Sequence, residues 1–404
     1  MKKFLALSLV VLGAIFVAAC GGGIGGGSAE SPPADVKVVA GDGGVTVSWT
    51  MQSGVEYWVF SAASGSISPG SWASLPQPRV VRNATSPQIV AGLTNGTTYS
   101  FTVNARSSGG PGGSGSPSIS VVPRLAGLQW NQGLPLASSN LRGLGFVLVT
   151  SPGVFVTVGA AGTAFASVDA INWTPVTSGV TTDLNAVAFG GGKWVAVGAG
   201  GVTINSVDAA TWSTASSGTT NDLYALAVGA NGVVAVGANG TILRSADGGL
   251  NWSVQASGTT ANLYGVTYAN GKYIAVGAAG TVLTSVDGNS WTVGTAAGTK
   301  DLKSVAYSTP RLLYVAVGAN GVMFSSPDAV TWTAITPVTT NTLNSVSFGN
   351  QFTAVGDIGT ILASTDGVNW QVVQSGTVAN LNAVLFALVG YAAVGAGGVN
   401  LTSY

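Results

Sequence analysis

The chain has 404 residues, of which only 7% are charged, with 60 glycines, one cysteine, no histidine and a net charge of zero. Long surface helices need a charged wet face, so this mixture points to short strands and tight turns instead. With no basic stripe nothing stands ready to pair with phosphates, and no nucleic-acid partner is expected. Without histidine, and with Cys20 as its one thiol, the sequence lacks the usual general base and any His/Cys cluster, so no metal and no cofactor are expected.

Residues 1–19 read as a signal peptide. Lys2 and Lys3 precede an apolar run from Phe4 to Ala19, too short to span a bilayer. Val17-Ala18-Ala19-Cys20 resembles the lipobox of bacterial lipoproteins. The resemblance implies cleavage before Cys20, lipidation of that residue and anchoring by two or more acyl chains. Gly21 stands where those lipoproteins carry an aspartate for inner-membrane retention, which implies the outer membrane of the cell envelope. Residues 20–33, rich in glycine, are expected to form a flexible tether.

Residues 34–123 show period-two alternation, as in Val45-Thr46-Val47-Ser48-Trp49 and in Tyr99-Ser100-Phe101-Thr102-Val103. Leu93-Thr94-Asn95-Gly96-Thr97-Thr98-Tyr99 resembles the approach to the tyrosine corner of fibronectin type III domains, and Trp49 stands where that family keeps its core tryptophan. The resemblance implies a β-sandwich whose Tyr99 hydroxyl bonds back to backbone just upstream.

Residues 125–404 are a repeat array. Tryptophans recur at Trp130, Trp173, Trp212, Trp252, Trp291, Trp332 and Trp370, each followed 11 residues later by a leucine, from Leu141 to Leu381. A Val-Gly-x-x-Gly element follows each leucine, and the period of about 40 is that of a four-stranded propeller blade. The first strand starts at the leucine, the second is a continuous apolar run buried on both faces, and the fourth is expected to carry the tryptophan. The last repeat stops after three strands, so residues near Trp130 should supply the fourth and close the ring. The expected fold is all-β: a fibronectin type III-like β-sandwich followed by a seven-bladed β-propeller closed by an N-terminal strand.

Six turns read Ser-x-Asp shortly before a tryptophan, with the aspartates at Asp169, Asp208, Asp247, Asp287, Asp328 and Asp366. They resemble the Asp-box, or BNR, repeat of sialidases and of photosystem II assembly-factor propellers. Short Asp and Ser side chains fix such turns by bonding local backbone, so a structural role is expected. The sialidase catalytic set does not carry over: the propeller has no glutamate, and Arg124, Arg142, Arg244 and Arg311 are its only arginines. No enzymatic activity is expected.

Repeats also show which positions the scaffold leaves free. The residue after each leucine varies: Arg142, Asn185, Tyr224, Tyr264, Lys303, Asn344 and Asn382. Each begins an innermost strand, so all seven should ring one mouth of the central channel, a concavity suited to a sugar or a peptide. The residues just before the leucines, such as Asn140 and Asp183, are expected to form turns. Loop extensions at Ser151-Pro152-Gly153 and Thr309-Pro310-Arg311 form a second candidate patch on the opposite face. The reading is a monomeric, lipid-anchored binding module for a protein or glycan. An assembly or scaffold factor and a sialidase-like hydrolase are the alternatives.

Overall fold

A computed structural model describes residues 27–148 and 153–404. The leader, Cys20 and the first half of the tether lie outside the described residues, as do Ser151 and Pro152 of the first loop extension. Among the described residues every regular element is a β-strand or a single 3-10 turn, as the glycine and β-branched content requires.

The N-terminal module contains β1 (Ala29–Glu30), β2 (Lys37–Gly41), β3 (Gly44–Ser48), β4 (Glu56–Ala62), β5 (Arg79–Val81), β6 (Gln88–Ala91), β7 (Tyr99–Arg106) and β8 (Ile119–Val121). One sheet runs β1-β7-β4-β5 with β8 also on β7, and the other runs β2-β3-β6. Alternation puts Val45, Val47, Tyr57, Val59, Phe101 and Val103 into the core between them, with Trp49 beside Tyr57. The Tyr99 hydroxyl accepts the Thr94 amide at 3.2 Å and donates to Gln77 Oε1 at 2.5 Å. The tether was expected to run to Pro33, but its last part is sheet: Ala29 pairs with Arg106 and Glu30 with Ala105. Strand pairing uses backbone groups alone, so a segment with no core-forming side chains can still extend an open edge.

Among the described residues, those from Asn131 onward form seven four-stranded antiparallel sheets. One of them runs Leu263–Ala269, Lys272–Gly277, Val282–Ser285 and Thr292–Val293, with Ile274, Ala275 and Val276 fully buried. Its second strand is covered on both faces because the neighbouring sheets stack against it. The leucine-led strand of each sheet packs on that of the next, and the one starting at Leu381 packs on the one starting at Leu141. The final sheet takes its fourth strand from the start of the array. β9 (Asn131–Gln132) pairs with Asn400–Ser403, with Leu401 opposite Gln132 and Thr402 opposite Asn131.

Two expectations are corrected at the residue level. The tryptophans sit one residue before the fourth strand, as Trp252 does before Ser253–Gln255. The Trp252 indole N–H donates to the Gly249 carbonyl at 3.1 Å, which holds the ring in the turn while its body packs against the core shared with the preceding sheet. The residues before the leucines are more than turn formers. Asp183 accepts the Ala161 amide at 2.9 Å, Asp222 the Gly200 amide at 2.7 Å and Asp301 the Ala279 amide at 3.0 Å. Each such bond reaches into the preceding sheet and satisfies a left-handed residue of its 3-10 turn, Ala161 having φ 52°. The flanking glycines are required there: a Cβ on Gly159 would fall 2.2 Å from the Asn140 carbonyl oxygen.

The module is seated on the seam of the array. Val389, in the turn between the first two strands of the seventh sheet, enters the β2–β3 turn, where a Cβ on Gly41 would fall 2.5 Å from its side chain. The Asp42 amide donates to the Val389 carbonyl at 2.6 Å, and the buried Asp42 carboxylate accepts from Asn95 Nδ2 at 2.8 Å and the Ala126 amide at 3.4 Å. Arg124 Nε donates to the Tyr404 carbonyl at 3.0 Å.

Candidate functional site

The six Asp-box carboxylates are committed to their own turns. Asp169 Oδ1 accepts the amides of Ile171 at 2.9 Å and Asn172 at 2.8 Å, and Ser167 Oγ at 3.0 Å. Asp208, Asp287, Asp328 and Asp366 repeat the pattern, and Asp247 does so in a turn one residue longer. Backbone donors favour the ionised form. The Thr211 and Ala210 amides bring Asp208 down to about 2, the Asn251 amide and side chain bring Asp247 to about 2, and the Ser290 and Asn289 amides bring Asp287 to about 2. The Thr331 and Val330 amides lower Asp328 in the same way. Burial works to raise Asp366, but bonds from Asn369, Val368 and Ser364 outweigh it and the group lies below the usual range. Each carboxylate serves one blade, and among the described residues no cluster of acidic or thiol side chains could hold a metal.

The seven variable positions fall at the starts of the seven leucine-led strands, and the structure divides them. Asn185 Nδ2 donates to the Leu223 carbonyl at 2.9 Å, Asn344 Nδ2 to the Leu381 carbonyl at 3.1 Å, and Asn382 Nδ2 to the Leu141 carbonyl at 2.7 Å. Three asparagines thus stitch one inner strand to the next. Arg142 is held by Asp183 at 2.7 Å and by Asn185 Oδ1 at 2.9 Å.

Tyr224, Tyr264 and Lys303 form a different group on three consecutive sheets. The two tyrosine rings lie 5.6 Å apart, and Lys303 Nζ stands 3.5 Å from the centre of the Tyr264 ring and 3.8 Å from Asp301 Oδ2. Burial pushes the Tyr224 hydroxyl up, with Asp222 and Tyr264 adding to it. Burial also lowers Lys303, against the pull of Asp301 and Asp357. The arc offers aromatic faces and one part-buried ammonium, with Asp222 and Asp301 close by. It can hold a ligand by stacking and hydrogen bonding. It has no nucleophile–base pair. Sequence reasoning placed all seven residues on one ring but did not separate them, because a side-chain bond to the next strand's carbonyl leaves no trace in residue identity.

Of the second candidate patch, Gly153 and Thr309 to Arg311 are described. Leu312 beside them is exposed, and Arg311 Cζ lies 5.8 Å from the Phe348 ring. The remaining arginine of the array, Arg244, on the third strand of its sheet, donates to the Asn231 carbonyl at 2.6 Å.

Stacked four-stranded sheets with Ser-x-Asp turns define a β-propeller of the BNR class. The family model of the photosynthesis system II assembly factor YCF48 matches residues 145–401, and the chain belongs to that family. Among solved structures, YCF48 from Cyanidioschyzon merolae is similar at a TM-score of 0.57 and 19% identity, covering 68% of this chain and 98% of that one. A structure of YCF48 bound to D1 peptide is similar at a TM-score of 0.57 and 19% identity, covering 68% of this chain and 94% of that one. The WD40 propeller domain of Doa1 follows at a TM-score of 0.55 and 11% identity, covering 68% and 97%. At these identities the structures speak for the fold alone. No curated protein matches the chain by sequence.

Proposed function

We propose that this chain is a non-catalytic assembly factor of the bacterial cell envelope that holds a polypeptide segment at the mouth of a seven-bladed propeller. The observation that carries this reading is the arc of Tyr224, Tyr264 and Lys303, left over when the asparagines and Arg142 are committed to the scaffold. Membership of the YCF48 family supports a protein partner, since one member has been captured with a D1 peptide. The seven sheets, with β9 completing the last, support closure of the ring, and the core around Trp49 with the bonded Tyr99 hydroxyl supports a fibronectin type III-like sandwich at residues 34–123. In this reading the signal sequence and lipidated Cys20 anchor the monomer at the outer membrane.

A photo-crosslinking amino acid at position 224 or 264, introduced in living cells, tests the site. Crosslinks to a discrete protein are expected from both positions and not from Val372 on the exposed outer edge. Equal capture from all three positions would refute the mouth as the binding surface. For the anchor, Cys20→Ser is expected to move the protein from the membrane to the soluble fraction.

A further inference from the structure

Charged residues are only 7% of this chain, so two arginines on one indole call for a reason. Arg106 Cζ lies 3.5 Å and Arg82 Cζ 4.8 Å from the centre of the Trp58 ring, on the outer face of the module's larger sheet. Arg79 is committed to the carbonyls of Ala91 and Gly92, both at 2.6 Å, whereas Arg106 has one long bond, from Nη1 to the Gly110 carbonyl at 3.4 Å. Glu56 is the cross-strand partner of Arg106, yet among the described residues neither Arg82 nor Arg106 forms an ion pair.

Three buried polar atoms at this spot have no hydrogen-bond partner: Arg106 Nε, Trp58 Nε1 and Asn104 Oδ1. Trp58 and Asn104 are directly opposite in the ladder, and Asn104 is 2% exposed. Buried polar atoms are normally satisfied, so three in one place point to a missing partner. A purely structural cation–π stack would account for the two guanidinium groups but not for these atoms. Burial lowers the Arg106 pKa, Glu56 opposes this, and the Arg82 charge lowers it further. An anion seated between the two cations relieves both effects.

The chemistry beside the arginines narrows the class. Gly112 lies so close that a Cβ would fall 2.5 Å from Arg106 Nη2 and 2.4 Å from Asn104 Nδ2. The same glycine lines an open cleft with Ser68, Gly70 and Ser114. Hydroxyls and bare backbone suit sugar hydroxyls, and the guanidinium fork suits a carboxylate. We infer that Trp58, Arg82, Arg106 and Asn104, with the Gly112 loop, form a binding site for an acidic glycan, the arginines taking its carboxylate.

Calorimetric titration of the full folded chain at low ionic strength with trigalacturonate, maltotriose and triglutamate tests this. Trigalacturonate should bind, maltotriose should not, and Arg106→Gln or Arg82→Gln should each weaken binding about tenfold. Tyr224→Ala with Tyr264→Ala should leave it unchanged, since the mouth is a separate site. Independently of how well the arginine variants fold, the Trp58 indole N–H resonance of the unaltered chain gives a second readout, shifting with trigalacturonate and not with maltotriose. The proposal is overturned by undiminished binding in a folded double variant. It is equally overturned by triglutamate binding as tightly, by an unmoved Trp58 resonance, or by no binding of trigalacturonate at all.

Discussion

The side-chain oxygen of Asn140 accepts the Gly397 amide at 3.1 Å, joining the start of the first complete blade to the last 3-10 turn of the chain. It is one of a set: Asp183, Asp222, Asn262, Asp301 and Asn380 make the same bond to the preceding blade. The position before Leu343 breaks the pattern, because Thr342 stands there opposite the turn that holds Asn320 at φ 56°. Thr342→Asn should supply the missing acceptor. One added hydrogen bond contributes about 1 kcal/mol, so the melting midpoint should rise by about 1–3 °C. A fall, or no change, in a calorimetric scan would count against this view of the set as a blade-to-blade latch.

The seam should be the weak point of the ring and the module its reinforcement. Gln351 Nε2 donates to the Ala126 carbonyl at 2.7 Å, and the Gly127 amide donates to Ser403 Oγ at 2.8 Å, so residues before β9 also bind the last blades. A chain beginning at residue 136 loses all of these contacts and should melt well below the intact chain in a single transition. Asp42→Ala removes a carboxylate that is 5% exposed and strands the Asn95 amide and the Ala126 N–H. It should cost about 1–3 kcal/mol. Calorimetry should show the module and the ring beginning to melt apart.

Much of this architecture was legible because repetition separates scaffold from variation. The fixed 11-residue step from Trp252 to Leu263 marked the repeating sheets, and the incomplete final repeat pointed to the pairing of Asn131–Gln132 with Asn400–Ser403. The strand Ala29–Glu30 was not legible, since an edge pairing of backbone groups makes no demand on side chains. Nor was the seating of Val389 between Gly41 and Gly44, a contact across some 350 residues with no local pattern. The Arg82–Trp58–Arg106 cluster joins β4, β7 and the residue just past β5, elements whose order in the sheet differs from their order in the chain.

Acid should loosen the Asp boxes in a defined window. Asp208, Asp247 and Asp287 titrate near 2 in the folded chain, against an ordinary value of 3.8. A folded pKa below the unfolded one means the unfolded state takes up protons first as pH falls. The stabilisation is therefore fully present above about pH 4 and is lost as pH drops through about 2. With no histidine in the chain, no imidazole step is superimposed near neutrality. Melting midpoints should be level between about pH 5 and 7 and should fall steeply below about 4. A midpoint that held steady down to pH 2 would show that these carboxylates are as easily protonated folded as unfolded.

The two kinds of residue at the mouth should respond oppositely to truncation. Asn382 Nδ2 ties the last inner strand to the Leu141 carbonyl across the seam, at 2.7 Å. Asn382→Ala should therefore lower stability by about 1 kcal/mol and leave partner binding at the folded ring little changed. Tyr224 contacts Tyr264, which in turn contacts Lys303, and both tyrosines are part-exposed at the starts of their inner strands. Replacing both with alanine should abolish crosslinking or binding of the polypeptide partner while moving the melting midpoint less than Asn382→Ala does. Paired measurement of melting and partner affinity on the same two variants separates the roles. If the tyrosine variant bound normally and melted early, the aromatic arc would be part of the scaffold and the binding surface would have to lie elsewhere.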